Sequence, residues 1–373
     1  MRDIIIAGGS IAGTTAARTL RTLGFDGRIT IVEPDPHAYS RPSLSKAAMR
    51  GEDVVMPLDD GDGVRWLRGR RVVDHDPDAA TVTLDDDDVL GYDGLVIATG
   101  SRAIRLGGAE RDDELLVRDL HDVHALRARL VAGSKVLIVG GGLLGIELAS
   151  GCRELGCAVT VVTMDPLGLR VLGDFISSRI EQWALDAGVD VVRTTARARL
   201  AEGTRNVVVV GGDVLTGDVL VTAIGDVPNV EWTPLGVPRR GVLADSVGAV
   251  ADGIVVAGDA GFRRTPEGRD VRDPHWYAAM DQGRIAAHTL VGREPDRPAA
   301  TRYLWTECFG HLVKLAGEVP TGPPTRVVDA GPEGSGLFVW EAGGIVRSAV
   351  AIDGKISVPR LRSMVTAPET TSD

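Results

Sequence analysis

Short apolar runs alternate along this chain with stretches whose apolar positions recur three and four residues apart, and the junctions between them are repeatedly rich in glycine. The β-branched run Ile4–Ala7 leads into Gly8-Gly9-Ser10-Ile11-Ala12-Gly13 and then into an Ala-, Leu- and Arg-rich segment from Thr14 to Leu23. That order predicts a strand, a tight turn and a helix. A second apolar run, Ile29–Val32, ends in Glu33 and completes a βαβ unit. The same pattern returns at Val136–Val139, followed by Gly140–Gly145, a helix through Leu155 and a strand Ala158–Val162. Further apolar runs, Gly94–Gly100, Val219–Pro228 and Gly253–Ala260, each pass into small residues. The acidic run Asp85–Asp88 reads as a hairpin tip between strands Thr81–Leu84 and Val89–Leu95. From Arg302 onward the alternation shortens to period two, in Val313–Ala316, Leu337–Glu341 and Ser348–Ile352, which predicts an antiparallel β domain. Beyond Met364 the sequence is polar and predicts a frayed tail.

The two glycine turns carry a specific chemistry. Gly8 permits the turn, Ser10 stands where a pyrophosphate must approach the backbone, and Gly13 lets the helix pack closely on the strand. The helix N-terminus then faces the phosphates. Glu33 lies about 20 to 25 residues after the first glycine, where such a unit keeps the acid that binds a ribose hydroxyl. In the second turn Gly140, Gly142 and Gly145 occupy all three glycine positions. A single glycine turn is equally well explained by strand-to-helix packing. Two copies in the same context imply two dinucleotide sites, most simply a flavin and a nicotinamide arranged for hydride transfer. Asp259 ends a buried run at the strand edge where open α/β sheets bind ligands, and is a candidate hydroxyl acceptor.

Composition narrows the alternatives. The 373 residues predict two to three domains at about 150 residues each. With 41 Lys and Arg against 52 Asp and Glu, the net charge of −11 argues against a nucleic-acid or polybasic membrane surface. Lysine is scarce, occurring at Lys46, Lys135, Lys314 and Lys355, so a lysine within a motif is notable. The longest apolar run, Val136 to the residue before Glu147, falls short of the ~18 residues of a membrane span. Nothing at the N-terminus reads as a signal peptide, and the expected location is cytoplasmic. Cys152, Cys157 and Cys308 form neither a disulfide framework nor a zinc site. His121 and His124 read as a solvated helix face without a third ligand, and no metal is predicted.

One segment is far more specific than a glycine turn. Gly24-Phe25-Asp26-Gly27-Arg28-Ile29-Thr30, followed by Tyr39-Ser40-Arg41-Pro42-Ser43-Leu44-Ser45-Lys46, resembles the signature of the FAD-dependent ferredoxin and rubredoxin reductases. The resemblance continues in order through Ala98–Arg102, Gly140–Glu147, Val171–Gly173, Ala223–Asn229, Gly258-Asp259, His275-Trp276, Gln282-Gly283 and Trp305–Glu307. It implies an α/β fold of two Rossmann-like domains plus a C-terminal α+β interface domain. The FAD domain would span residues 1–108 and 232–298, the NAD(P)H domain 109–231 and the interface domain 299–373. It further implies that Glu33 binds the adenosine ribose of FAD, that Arg41 and Pro42 line the FAD site, and that Asp259 holds the ribityl chain. Thr99, Gly100, His275, Trp276 and Trp305 join this cofactor set, and Lys46 and Glu147 meet beside the flavin as the catalytic pair. The implied activity is an NAD(P)H:ferredoxin reductase, which passes electrons singly to a [2Fe-2S] ferredoxin or a rubredoxin serving a P450 or an oxygenase.

Departures from the family pattern modify this expectation. The second unit ends in Thr163, with Met164 and Asp165 beyond, where NADH-specific members carry Glu, so the 2′-hydroxyl acceptor is missing or displaced. The first arginine on offer for a 2′-phosphate is Arg170, and NADH versus NADPH stays open. Ser40, Ser43 and Ser45 follow the first turn, so the redox cysteines of disulfide reductases and peroxidases have no candidate there. Ser40 and Ser43 replace the family's Asp and Pro, Pro274 replaces Glu, and Glu307-Cys308 replaces Asp-Gln. Cys308 reads either as a compact hydrophobe or as a thiol activated beside the flavin. Arg263, Arg264, Arg269 and Arg272 are a candidate dock for an acidic ferredoxin, partly cancelled by Asp270 and Asp273. Two other functional readings stay open: a redox-responsive interaction protein that binds FAD and NAD(P)H, and a flavin oxidoreductase acting directly on a small organic substrate.

Overall fold

A parallel strand buried on both faces must be apolar throughout, and the apolar runs that end in glycine form such strands here. The computed structural model describes residues 1–56, 63–108, 111, 113–201, 207–265, 268–297, 299–331 and 334–365. From residue 366 the polar tail expected after Met364 lies outside the described residues. The chain divides into two compact units: one of Met1–Ser40, Val55–Arg102 and Asp226–Ala300, the other of Arg41–Val54, Ala103–Gly225 and Thr301–Asp373.

The first unit is organised by a six-stranded sheet in the order Ala249–Ala251, Ile254–Val256, Gly94–Ile97, Asp3–Ala7, Arg28–Glu33, Val64–Arg68. Asp3–Ala7 pairs in parallel with Arg28–Glu33 on one side and Gly94–Ile97 on the other. The chain order therefore reverses next to Asp3–Ala7, the switch point at which such sheets bind ligands. One face is covered by the helices Ile11–Thr22 and Trp276–Leu290 through Ile4, Ile6, Ala16, Leu20 and Ala286. A methyl group on Gly283 would collide with the carbonyl oxygen of Ala12, so these helices pack at backbone contact. The other face meets the three-stranded sheet Val72–Asp76, Thr81–Leu84, Val89–Gly91 through Ile5, Leu95, Val82 and Leu84. The Asp85–Asp88 tip connects its last two strands as the sequence predicts, but the expected strand Val89–Leu95 is broken at Tyr92-Asp93, so that Val89–Gly91 pairs here and Gly94–Ile97 joins the six-stranded sheet.

The second unit repeats the plan with a five-stranded parallel sheet in the order Glu114–Leu115, Val219–Thr222, Lys135–Val139, Ala158–Thr163, Val189–Arg193. Its switch point lies between Lys135–Val139 and Val219–Thr222. The expected run Val219–Pro228 breaks at Gly225, whose φ of +110° bends the chain before a separate strand Asp226–Pro228. The C-terminal segment forms a five-stranded antiparallel sheet in the order Tyr303–Cys308, His311–Gly317, Ile345–Ile352, Gly336–Ala342, Arg326–Ala330. Helix Leu143–Glu154 packs on strands of both sheets, and this explains its burial on most sides.

In both units the helix after the glycine turn starts earlier than its apolar periodicity suggests. Ile11–Gly13 already belongs to the first helix, because the turn itself supplies the opening helical residues. The segment Arg41–Val54, which carries Lys46, packs within the second unit. There Arg41 Nη1 donates to the Arg118 carbonyl at 2.6 Å, and Arg127 Nη1 donates to the carbonyls of Ala48 and Met49 at 2.9 and 3.1 Å.

His75 is a buried polar centre in the first unit, 3% exposed, with Nδ1 at 2.8 Å from Thr233 Oγ1 and Nε2 at 2.7 Å from Tyr92 OH. Burial holds its imidazole below the ordinary range against the opposing pull of Asp74 and Asp76. The folded state therefore carries a neutral ring, whereas the unfolded chain takes up a proton near about pH 6.5. As pH falls through that value the unfolded state binds more protons and stability drops. The denaturation midpoint of the wild type is expected to fall between pH 7.5 and 5.5 more steeply than that of His75→Gln. Equal pH slopes in guanidinium titrations would remove His75 as the cause.

Candidate functional site

The two glycine turns are built alike, residue for residue. Gly8 and Gly140 adopt φ of +107° and +122°, left-handed conformations that favour glycine. A methyl group on Gly8 would collide with the Ala98 carbonyl oxygen, and one on Gly140 would collide with that of Ala223. Gly13 and Gly145 stand in the same relation to the carbonyls of Gly8 and Gly140. The turn therefore lies directly against the neighbouring strand across the switch point. The helices that follow, Ile11–Thr22 and Leu143–Glu154, have no acidic residue in the first turn and no side-chain cap from Ser10 or Gly142. Their leading N–H groups are thus directed at the space a pyrophosphate occupies in this motif. Around Gly142 a methyl group would meet nothing within 4 Å, so the second turn has open room at the position where the first carries Ser10.

The residues at the ends of the second strands separate the two turns chemically. Glu33, 7% exposed, accepts the Gly9 N–H at 2.6 Å and the Asp35 N–H at 2.9 Å. Its counterpart, Thr163, is equally buried and donates to the Asp165 carbonyl at 2.8 Å. Thr163 Oγ1 lies against Gly141 as Glu33 lies against Gly9. At the first turn a methyl group on Gly9 would lie 2.5 Å from Trp66 Cζ3. The buried Trp66 indole N–H has no hydrogen-bond partner among the described residues. An uncapped helix N-terminus, a buried acid at the strand end and an unused buried donor together fit FAD at the first turn.

Other expected cofactor residues of the first unit line the strand ends. Asp259 sits in the short helical turn Gly258–Ala260 after Ile254–Val256 and accepts from Ser101 Oγ at 3.0 Å. Thr99 Oγ1 donates to the Asn229 carbonyl at 2.6 Å, and Gly100 turns the chain with φ of +65°. His275 is the N-cap residue of the helix that Trp276 begins. In the arginine cluster, Arg264 Nε pairs with Asp270 at 3.0 Å. Arg272 Nη2 lies 3.1 Å from Asp226 and donates to the Asp259 carbonyl at 3.0 Å, so these two charges are already engaged.

In the second unit Lys46 and Glu147 meet. Lys46 Nζ is 2.8 Å from Glu147 Oε1, with the two side chains 10% and 7% exposed. Nζ also donates to the Pro42 carbonyl at 3.2 Å and lies 5.8 Å from the centre of the Trp305 ring, within cation–π range. Thr306 Oγ1 donates to Glu147 Oε1 at 2.8 Å, and Ser45 Oγ donates to Oε2. Glu147 reaches these partners because it lies on the buried side of its helix, one turn after the glycine turn. Sequence reasoning named Lys46, Glu147 and Trp305 but not the hydroxyl donors Ser45 and Thr306. Their adjacency to Lys46 and Trp305 was the available signal. The result is a cation held by a carboxylate whose two oxygens are both hydrogen-bonded, an arrangement that fixes charge without room for reorganisation.

A cavity of about 430 Å³ adjoins this pair and is bordered by Glu154, Cys308, His311 and Asp353. Asp353 accepts from the His311 ring at 2.7 Å, and the ring stacks on Trp183 with centroids 4.0 Å apart. Cys308 is 2% exposed, and burial together with the Glu147 charge pushes its thiol up to about 12, Lys46 opposing. It is a protonated packing residue, and the activated-thiol reading fails because desolvation outweighs the nearby cation. Cys152 and Cys157 are fully buried and raised for the same reason.

Comparison with known proteins agrees with this geometry. Residues 2–283 match the family model for pyridine nucleotide-disulphide oxidoreductases. The chain is 32% identical over 366 residues to the ferredoxin reductase component of chlorobenzene dioxygenase from Cupriavidus sp. (strain PS12), covering 94% of this chain and 89% of that protein. It is 33% identical over 373 residues to the ferredoxin–NAD(+) reductase component of the biphenyl dioxygenase system of Paraburkholderia xenovorans (strain LB400), covering 94% and 90%. The crystal structure of the ferredoxin reductase for the CYP199A2 system from Rhodopseudomonas palustris superposes with a TM-score of 0.83 at 27% identity, covering 95% of this chain and 91% of that one.

Two outcomes follow from the buried charges and thiols. Glu147→Ala leaves Lys46 without its carboxylate and is expected to cost about 3 to 5 kcal/mol in chemical denaturation, most of it recovered in a Lys46→Met/Glu147→Leu double variant. A loss below about 1 kcal/mol would show that the pair is solvated. With a chromogenic thiol reagent, the native protein is expected to show no reactive cysteine, and all three cysteines should react after denaturation.

Proposed function

The chain belongs to the pyridine nucleotide-disulphide oxidoreductase family, and from that premise we propose that it is an FAD-dependent NAD(P)H:ferredoxin reductase. The observation that supports this best is the duplicated dinucleotide turn, one copy with an acid at its strand end and one without, in a chain related over nearly its whole length to ferredoxin reductase components. The family name includes disulphide reductases, but Ser40, Ser43 and Ser45 stand after the first turn where those enzymes need cysteines. Its chemistry is therefore electron transfer without a protein dithiol.

FAD is assigned to the domain of residues 1–108 and 232–298, NAD(P)H to residues 109–231, and the interface role to residues 299–373. Bound FAD supplies the exchange between a two-electron donor and a one-electron acceptor. The Gly8–Gly13 backbone and the following helix would neutralise its pyrophosphate, Glu33 would accept from its ribose, and Asp259 would accept from the ribityl chain. Gly140, Gly142 and Gly145 bring the nicotinamide nucleotide to the second helix N-terminus. Lys46 is held in place by Glu147, whose oxygens also accept from Ser45 and Thr306, and would stabilise the negative charge that a bound flavin gains on reduction, an interaction that would lower the barrier rather than only aid binding. The acceptor is a [2Fe-2S] ferredoxin, with rubredoxin the other one-electron carrier of this class, feeding an oxygenase or a P450. The proposed setting is the cytoplasm.

The purified protein is expected to be yellow, to release its flavin on acid precipitation, and to pass electrons rapidly from NADH or NADPH to a [2Fe-2S] ferredoxin in stopped-flow and steady-state assays. A colourless protein that takes up no FAD would sink the proposal, and a flavoprotein reduced by nucleotide but inert to every one-electron carrier would favour the interaction-protein reading. Asp259→Ala should weaken FAD retention by about 1.5 to 3 kcal/mol, measured by fluorescence of released flavin. Lys46→Ala should slow single-turnover flavin reduction by far more than it raises the nucleotide Kd, and an unchanged reduction rate would reject its assigned role.

A further inference from the structure

Helix Leu143–Glu154 carries a polar stripe on an otherwise apolar body. Glu147, Ser150 and Glu154 stand three and four residues apart and so share one face. They pass from the interior to solvent, since Glu147 and Ser150 are buried and Glu154 is exposed. All three border the cavity of about 430 Å³. Lys46 and Arg50 line it from a second segment in the same order, Lys46 buried against Glu147 and Arg50 exposed. The exposed Glu307 and the hydrogen-bonded His311 and Asp353 supply the remaining wall. At the mouth the Arg50 guanidinium is held charged by Glu52 at 2.7 Å, with Glu154 and Glu307 adding to the effect. The cavity is thus a polar cleft that joins the Lys46–Glu147 pair to the surface.

The hydrogen bonds along the stripe have a direction. Ser150 Oγ accepts the Phe309 N–H at 2.7 Å and donates to Glu154 Oε1 at 3.2 Å. Its proton therefore points to the exposed end, and a hydroxyl oxygen with two lone pairs keeps one for a second donor. Glu147 precedes Ser150 by three residues, which sets their Cβ atoms ~5–6 Å apart on the helix, a gap that one water bridges. At the inner end Lys46 commits two of its three N–H groups, to Glu147 at 2.8 Å and to the Pro42 carbonyl at 3.2 Å. The third has no acceptor among the described residues.

The reaction proposed above leaves a proton behind. NAD(P)H gives up a hydride, two one-electron carriers take its two electrons, and one H⁺ remains per turnover. We propose that the cleft is the exit for this proton, an inference that rests on the reading of Lys46 as the residue beside the flavin. Lys46 passes an Nζ proton to the Glu147 carboxylate and regains one from the flavin, so it ends as the ammonium it began as. Glu147 then yields its proton through water to Ser150, whose own proton moves on to Glu154 and from there to bulk solvent. A carboxylate within one water of the next acceptor meets the geometric requirement for such transfer.

The test uses the FAD-loaded protein in stopped flow at low buffer concentration. Reduction by NADH moves a hydride and releases no proton, whereas reoxidation by ferricyanide, a one-electron acceptor, does. Glu154→Gln keeps an amide oxygen for Ser150 but cannot take up a proton, and Ser150→Ala/Glu154→Gln removes both stations. Both variants are expected to be reduced by NADH at the unaltered rate and to keep the flavin midpoint potential. Proton release after reoxidation, followed with a pH indicator, should slow by about tenfold or more, and added imidazole should restore it. Release at the unaltered rate in both variants overturns the exit, as does a slowdown that imidazole does not relieve or that accompanies a shifted midpoint potential. A protein that holds no FAD, or that NADH does not reduce, fails the functional reading itself.

Discussion

The close approach of a glycine turn to a neighbouring strand is the constraint from which the remaining structure follows. At Gly8 and again at Gly140 there is no room for a β-carbon against the carbonyls of Ala98 and Ala223. That contact sets the separation of the two central strands at the switch point. It also aims the following helix N-terminus along the crevice between them. Gly13 and Gly145 then hold each helix against its own turn, so the direction of the helix dipole is fixed by backbone contact rather than by adaptable side chains. A phosphate cradle of this kind is rigid because its walls and donors are main chain.

Within that common frame the two units differ in a few side chains, and the differences carry the chemistry. Glu33 bonds the turn itself, whereas the Thr163 hydroxyl donates to the Asp165 carbonyl, and the Asp165 carboxylate pairs with Arg170. The helix after the second turn has another task as well: it carries Glu147 on its buried side. This places a carboxylate between Lys46, Ser45 and Thr306, which come from a loop near residue 45 and a strand near residue 306. A buried ion pair is a poor source of stability. Its retention, with both carboxylate oxygens satisfied by hydroxyls, is understandable if the purpose is to hold one positive charge at a set place.

Burial also decides the fate of groups that look reactive in isolation. Cys308 lies beside Lys46, and a nearby cation ordinarily favours thiolate. Here desolvation and Glu147 act in the opposite direction and keep the thiol protonated. His75 shows the same principle with the opposite charge type, since enclosure by Thr233, Tyr92 and Trp232 favours the neutral ring over the imidazolium despite two flanking aspartates.

Much of this was readable in the linear chain, because strand, turn and helix are local and each leaves a periodic or glycine signature over a few residues. The βαβ units at Ile4–Glu33 and Val136–Thr163, the antiparallel strands after Arg302 and the missing acid at Thr163 are of this kind. The run Val219–Pro228 already showed its small-residue turn, but not that the chain resumes beyond Gly225 as a separate strand, Asp226–Pro228, because strand pairing is not a local property. The hydroxyls on Glu147 and the protonated state of Cys308 were equally hidden. They depend on segments more than a hundred residues apart meeting in one place, and on how much water that meeting excludes. Hydrogen-bond partners and desolvation are properties of the assembled fold, and no local pattern encodes them.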